Sequence, residues 1–225
     1  MTGLAFGGAS VDGGLYTWIT GLAGDTPHPV NTVIAAFSDY GLALFGVLML
    51  AAWWRARGAG EQHMARALAA PVIVVVVYAA DVLLKSAVAE NRPCRTLHTV
   101  TVEACPGAGD WSFPSNHAVI AGAAAMALAL ADRQLGRIAA VAAVLMAVSR
   151  VWIGVHYPHD VAVGLALGAA LAWALGRLPG PAAPPGGGGG GSRLRGVVGW
   201  GGGRAGGGGV GGGAAAALRP PARRR

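Results

Sequence analysis

Long apolar runs with few charges constrain the fold of this chain more than any other feature of its sequence. They occupy residues 30–54, 67–88, 117–131, 138–153 and 161–176. An α-helix rises about 1.5 Å per residue, so about 20 apolar residues cross the roughly 30 Å of hydrocarbon in a bilayer. With 54% apolar and 12% charged residues, the composition is that of a membrane protein. The sequence therefore predicts an all-α, polytopic membrane helical bundle of about five transmembrane helices.

The segments on either side of these runs differ from them in composition. Residues 1–29 are Gly-rich with a short apolar patch that includes Tyr and Trp, which favour the headgroup layer, so we expect an interfacial helix at residues 13–23. Residues 178–225 are rich in Gly, Pro and Arg, cannot bury a core and predict a disordered tail. Residues 30–177 between them form the predicted membrane domain.

The net charge of +7 comes entirely from the tail. Residues 1–177 hold ten basic and ten acidic residues, whereas the tail holds seven arginines and no acid. The tail arginines can contact anionic membrane lipid or stay solvated, and both interpretations remain open. No aromatic interleaving or folded module accompanies the charge, so we expect no nucleic-acid partner.

The basic loops predict how the chain is oriented. Cytoplasmic loops carry an excess of Lys and Arg, which assigns residues 55–66, residues 133–137 and the tail to the cytoplasm. Five spans then place the N-terminus outside, together with the loop at residues 89–116 and the turn at residues 149–160. We therefore expect a multi-pass protein of the plasma membrane whose reactive groups lie on the extracytoplasmic face.

Polar groups interrupt two of the apolar runs. Asp39 lies in the first run, where a carboxylate should face protein rather than lipid. Asp81 and Lys85 lie four residues apart in the second run, so they share a helix face and predict an ion pair. Cys94 and Cys105 both fall in the long outer loop, where they can form a disulfide or stay as free thiols.

The stretch from Ser149 to Asp160 concentrates charge at the edge of a membrane segment, where charge usually serves chemistry. Arg150 offers a planar fork of donors to phosphate oxygens, and His156 can act as a nucleophile near neutral pH. Asp160, four residues later, can accept a hydrogen bond from one imidazole nitrogen and leave the other free. The alternative is a simple turn in which the arginine reaches lipid headgroups and the aspartate caps a helix.

Two further blocks occur in order before this stretch: K-S-A-V-A-E-N-R-P at Lys85 to Pro93 and F-P-S-N-H at Phe113 to His117. Together the blocks resemble the signature of the phosphatidic acid phosphatase type 2 superfamily, which includes membrane lipid phosphatases and vanadium haloperoxidases. The first and third blocks match at every defining position. In the second block, Asn116 stands where the superfamily most often has glycine. Asn is among the residues that tolerate a positive φ, so we expect activity to be retained.

The resemblance implies a role for each motif residue. The phosphate would be bound by Lys85, Arg92, Ser115, Asn116 and Arg150. His117 would be the general acid, His156 the nucleophile that forms a phosphohistidine, and Asp160 the residue that orients it. The resemblance implies no metal ion and no cofactor. His159 is not a family position, and we interpret it as a surface or pocket-rim residue.

Within the superfamily, the compact layout is most similar to the bacterial undecaprenyl-diphosphatase branch, which implies hydrolysis of undecaprenyl diphosphate to undecaprenyl phosphate. Phosphatidic acid, phosphatidylglycerol phosphate or another prenyl phosphate could also be the substrate. A vanadium haloperoxidase would use the same residues, but its soluble substrates do not need five apolar spans. A non-enzymatic membrane scaffold would require all three blocks to be coincidental. The sequence does not indicate an oligomeric state.

Overall fold

A computed structural model describes residues 8–178, and all the regular structure within that range is helical. The helices are α1 (Ala9–Asp25), α2 (His28–Tyr40), α3 (Leu42–Ala56), α4 (Glu61–Val88), α5 (Pro93–Thr96), α6 (Asn116–Ala131), α7 (Arg133–Trp152) and α8 (Pro158–Gly176). The predicted all-α membrane bundle is confirmed. The predicted tail falls almost entirely outside the described residues.

The helices that can cross a membrane differ in detail from the predicted spans. Among the described residues, α4, α7 and α8 are long and apolar enough to cross a bilayer by themselves. The run at residues 30–54 is split into α2 and α3, which meet at a 52° bend and can form a fourth span together. The predicted span at residues 117–131 corresponds to α6, which is apolar but has only 16 residues.

α6 is the central helix of the bundle, which explains why it can be short. It packs against α3, α4, α7 and α8, and half of its residues are buried. Small residues bring α8 close to it: a Cβ on Gly168 would lie 2.1 Å from the carbonyl oxygen of Val119. A helix enclosed by other helices does not have to match the hydrocarbon thickness with its own length. The Ala-rich sequence of α6 therefore serves close helix packing.

The N-terminal helix is longer than expected and belongs to the folded unit. α1 begins at Ala9 rather than at residue 13, and it packs against α5, α7 and α8. The hydroxyl of its buried Tyr16 donates a hydrogen bond to the carbonyl oxygen of Gly154, at 2.8 Å. Gly154 has φ +90°, a conformation that favours glycine. α1 thereby holds the turn between α7 and α8.

Two expectations about polar groups in the apolar runs are wrong. Asp39 is exposed, and its neighbour Ser38 is the residue that faces protein, because the helix turns the two side chains about 100° apart. Asp81 and Lys85 are both buried but do not form an ion pair within 4.0 Å, and the Asp81 carboxylate has no hydrogen-bond partner in the structure.

Candidate active site

The ends of four helices meet at one end of the bundle and carry the residues of the three motifs. Lys85 lies in the last turn of α4, and Arg150 lies near the end of α7. Ser115 to His117 begin α6, and Asp160 lies in the first turn of α8. His156 lies in the turn between α7 and α8. Residues far apart in sequence therefore meet because helix ends alternate between the two ends of an antiparallel bundle.

His156 and Asp160 form the predicted pair, and both side chains are buried. Nδ1 of His156 lies 3.4 Å from Oδ2 of Asp160. The same carboxylate oxygen accepts hydrogen bonds from the Ser112 hydroxyl and from the backbone N–H of Tyr157, the latter at 2.8 Å. Asp160 can reach the Tyr157 N–H because Pro158 begins α8 and places Asp160 in its first turn. The carboxylate is thus held in position by hydrogen bonds other than its contact with the imidazole.

The other nitrogen of His156 faces a guanidinium. Nη1 of Arg92 lies 3.2 Å from Nε2 of His156, and a guanidinium can only donate hydrogen bonds. Nε2 must therefore carry the lone pair, and Nδ1 carries the proton that points to Asp160. Burial, opposed by the hydrogen bond to Asp160, lowers the pKa of His156 to about 3, and the charge of Arg92 acts in the same direction as burial. A neutral ring with a lone pair on Nε2 is the form a nucleophile requires.

Arg92 is held by backbone and side-chain acceptors. Its Nε donates to the carbonyl oxygen of Asp110 and its Nη1 to that of Val155, each at 2.9 Å. Its Nη2 forms an ion pair with the Asp110 carboxylate, also at 2.9 Å. Partial burial acts to raise the pKa of Asp110, but the hydrogen bond and charge of Arg92 outweigh it and hold that pKa below its ordinary value. The guanidinium is therefore fixed beside the nucleophile.

Arg150 and the start of α6 supply further donors. Nη1 of Arg150 donates to the Ser38 hydroxyl at 2.8 Å, whereas its buried Nε has no hydrogen-bond partner within residues 8–178. The hydroxyl of buried Ser115 also lacks a partner. The first N–H groups of α6, from Asn116 onward, have no acceptor within their own helix. These donors can bind an anion at the positive end of the helix.

Lys85 and His117 belong to the same cluster of charges. Lys85 is 8% exposed. His117 lies close enough to the positive charges of Lys85, Arg92 and Arg150 to interact electrostatically with all three. Asn116 is helical and does not have a positive φ, so the conformation for which glycine is favoured is not used at this position. Its buried Oδ1 has no hydrogen-bond partner in the described structure.

Several residues that complete the site had no recognisable signal in the sequence. Ser112, Ser38 and Asp110 contact the motif residues through side chains or carbonyl oxygens. Their partners are 18 to 112 residues away in the chain. Ser112 and Asp110 lie close before the F-P-S-N-H block, which is the one hint that could have singled them out.

The long outer loop is closed by a disulfide between Cys94 and Cys105, whose Cα atoms are 5.9 Å apart. The bond joins α5, which directly follows Arg92, to the segment that leads to Asp110. It therefore ties together the two parts of the loop that hold the Arg92 guanidinium.

His159 is partly buried, with 16% of its side chain exposed, and it makes polar contacts that its interpretation as a surface or pocket-rim residue did not include. It forms ion pairs with Asp12, Glu90 and Asp160. Among the described residues, Glu90, His159 and Asp160 are also the one group whose ligand atoms lie within 4.8 Å of one another, as a metal site would require.

Comparison with known proteins identifies the family of this chain. The model of the PAP2 superfamily matches residues 66–181. Undecaprenyl-diphosphatase BcrC of Bacillus subtilis is 28% identical over 59% of this chain and 66% of its own length. Decaprenylphosphoryl-5-phosphoribose phosphatase of Mycobacterium tuberculosis is 43% identical over 43% of this chain and 51% of its own length.

The chain thus spans about half to two thirds of the length of these curated relatives. Among solved structures, a transmembrane PAP2 type phosphatidylglycerolphosphate phosphatase from Bacillus subtilis aligns with a TM-score of 0.47 and 22% identity, over 72% of this chain and 83% of its own. The family match covers more than half of the chain and includes all three motifs. The chain belongs to the PAP2 superfamily.

Proposed function

We propose that this protein is an integral membrane lipid phosphatase that uses His156 as its nucleophile. The observation that carries the proposal is the state of the His156 ring. Its Nδ1 faces Asp160, and its unprotonated Nε2 lies beside the Arg92 guanidinium, where a bound phosphate would be held. The unpaired donors of Arg150 and Ser115 support the same assignment.

The proposed reaction has two steps. Nε2 of His156 attacks phosphorus and forms a phosphohistidine while the bond from phosphorus to the leaving oxygen breaks, and His117 protonates that oxygen. Water then attacks phosphorus, the P–N bond breaks and His117 takes the proton from the water. Lys85, Arg92 and Arg150 would stabilise the charge on the transferred group in both steps.

We propose undecaprenyl diphosphate as the substrate, with undecaprenyl phosphate and phosphate as products. Relatives named undecaprenyl-diphosphatase, from Bacillus subtilis and Sulfolobus acidocaldarius, support this choice. The mycobacterial relative named for a decaprenylphosphoryl-phosphoribose supports the second candidate, another polyprenyl phosphate. Phosphatidic acid and phosphatidylglycerol phosphate rank behind both, because neither is a polyprenyl lipid. A haloperoxidase is less favoured because the site lies in an apolar bundle.

We further propose that the site faces the outside of the plasma membrane and that residues 178–225 form a cytoplasmic tail, with residues 30–177 as the membrane domain and residues 1–29 as its N-terminal segment. The arginine-rich end of the bundle is the end opposite to the site. There Arg55 forms an ion pair with Asp132 at 2.9 Å, joining the last turn of α3 to the turn before α7. An excess of arginine marks cytoplasmic loops.

A substrate panel tests the activity. Purified protein in detergent with a metal chelator should release phosphate from undecaprenyl diphosphate faster than from shorter prenyl diphosphates or phosphatidic acid at equal surface concentration. His156→Ala should release none and should form no acid-labile phosphoenzyme. Phosphate release by His156→Ala at the wild-type rate would disprove the proposed nucleophile, and a strict requirement for magnesium would disprove the metal-independent mechanism.

A further inference from the structure

The two oxygens of the Asp160 carboxylate face two different histidines. Oδ2 faces His156 and also accepts the hydrogen bonds from Ser112 and Tyr157. Oδ1 is buried, and Nε2 of His159 lies 3.3 Å from it. Asp160 is 0% exposed, so its carboxylate does not contact bulk water. The environment of Oδ1 therefore acts on the same carboxylate that orients the nucleophile.

His159 is held in place by contacts at both ring nitrogens and at one face of its ring. Its Nδ1 lies 2.9 Å from Oδ1 of Asp12, whose other oxygen accepts the backbone N–H of His159 at 2.7 Å. Its Nε2 lies 3.3 Å and 3.5 Å from the two oxygens of Glu90. The ring stacks on Tyr157 with centroids 5.3 Å apart and an angle of 18°. These contacts join α1, the turn after α4 and the start of α8.

These contacts define the protons on the ring. Ionised carboxylates only accept hydrogen bonds, so a ring nitrogen that faces one must donate. Nδ1 is at hydrogen-bond distance from Asp12 and Nε2 from Glu90, so both nitrogens carry a proton and the ring is an imidazolium. Its charge also lies 3.3 Å from Oδ1 of Asp160, which accepts no hydrogen bond within the described residues. Without that charge, Glu90, which is 1% exposed, would be a second buried anion with an oxygen within 4.8 Å of an Asp160 oxygen. Two buried carboxylates at such a distance resist ionisation together.

We propose that His159, held by Glu90 and Asp12, is a positioning residue that keeps Asp160 ionised and aimed at His156. The inference rests on the proposed function, because Asp160 matters through the nucleophile it orients. It assigns a role to Glu90, which lies inside the first motif block, and to α1, which supplies Asp12.

A double-mutant cycle tests the role in turnover. His159→Gln should lower kcat at least about tenfold, because Asp160 then no longer orients the nucleophile for the chemical step, with KM within about twofold. Glu90→Gln removes the competing buried charge, so the double variant Glu90→Gln/His159→Gln should recover at least part of the lost kcat. A merely structural role predicts instead that the two losses add. Additive losses, or a His159→Gln enzyme with wild-type kcat, would overturn the proposal.

Asp12 offers a matched comparison on one helix. Asp12→Asn removes the carboxylate that holds Nδ1, and Asp25→Asn makes the same change at an exposed position of α1. We expect Asp12→Asn to lower kcat and Asp25→Asn to leave it unchanged. Equal activity of the two variants would show that the contact with α1 does not contribute.

Nitrogen NMR of histidine-labelled protein in detergent tests the cluster without any substrate. The wild-type spectrum at neutral pH should contain one imidazolium ring that disappears in His159→Gln, and Glu90→Gln should shift its signals. If His159→Gln does not fold, the wild-type and Glu90→Gln spectra still show whether the ring is an imidazolium in contact with Glu90. A His159 ring with a bare nitrogen, or a metal ion that copurifies with the wild type and is lost in Glu90→Gln, would overturn the proposal. Absence of phosphatase activity on every substrate would overturn the proposed function and leave the NMR result standing.

Discussion

A buried neutral histidine makes the stability of the folded state depend on pH. Because burial lowers the pKa of His156 to about 3 from 6.5, the unfolded chain binds a proton between these values that the folded protein does not. The free energy of unfolding must therefore decrease as the pH falls below about 6.5. The proposed nucleophile therefore also makes the fold sensitive to acid.

We predict that His156→Gln weakens this dependence, because glutamine does not titrate. Between pH 6.5 and pH 4.5, the unfolding midpoint of the wild type should fall more steeply than that of His156→Gln, by an amount equivalent to at most about 1.4 kcal/mol per pH unit. Thermal unfolding in detergent at several pH values measures both curves. Parallel curves would show that His156 is not a neutral buried group in the folded protein.

The motif residues could be predicted from the sequence, and their partners could not. His156 and Asp160 are four residues apart across the start of α8, so the local backbone alone brings them together. Arg150 and Ser38 are separated by 112 residues, and no pattern in either segment indicates that they meet. The contacts of His159 could not be predicted for the same reason, since its partners Asp12 and Glu90 come from other parts of the chain. Short spacings in the sequence indicate the proposed catalytic residues, whereas the residues that support them can be identified only from the tertiary fold.

Among the elements, the crossing of α6 and α8 determines whether the site can assemble. α6 carries Ser115 to His117 at its start, and α8 carries Asp160 at its start. The spacing of the two helices therefore also affects the spacing of the proposed general acid and the residue that orients the nucleophile. Gly168 and Gly122 permit this distance, because a Cβ on either would meet backbone of the opposite helix.

We predict that Gly168→Ala destabilises the protein by about 1–3 kcal/mol, since the new methyl group would lie 2.1 Å from a carbonyl oxygen and force the helices apart. Its kcat should fall as well. Gly46→Ala is the control, because it adds the same methyl group within α3 where nothing lies within 4 Å. The control should gain up to about 1 kcal/mol from helix propensity. Equal unfolding midpoints for the two variants would contradict the close crossing.

The sequence predicted the location of the helices better than their form. Apolar runs located α4, α7 and α8 because lipid exposure leaves a continuous apolar pattern. The same pattern did not reveal the bend between α2 and α3, since both sides of the bend are apolar. It also did not show that α1 packs on the bundle, because that contact depends on Tyr16 and Asp12 reaching distant partners.

At the scale of the whole molecule, charge separates the two ends of the bundle. One end holds the arginines near the end of α3 and at the start of α7, and the other holds the candidate site and the disulfide-closed loop. The chain contains two cysteines, and both are in that disulfide. A single introduced cysteine can therefore report the orientation of the protein in the membrane.

We predict that Val100→Cys, at a position 91% exposed in the outer loop, reacts with a membrane-impermeant maleimide on intact cells. Gly58→Cys, in the exposed loop between α3 and α4, should react only after the cells are permeabilised. The wild type provides the unlabelled control. The reverse pattern would place the site on the cytoplasmic side.

The short central helix has a consequence for how a lipid reaches the site. The 16 residues of α6 rise about 24 Å, which is less than the roughly 30 Å of hydrocarbon in a bilayer. If the end of α6 beside Asp132, which contacts Arg55, lies at one boundary of the hydrocarbon, its first residue lies several ångströms inside the opposite boundary. A phosphate at Ser115 to His117 is then recessed below the headgroups. A lipid can deliver it by sideways diffusion, with its chain in the bilayer throughout turnover.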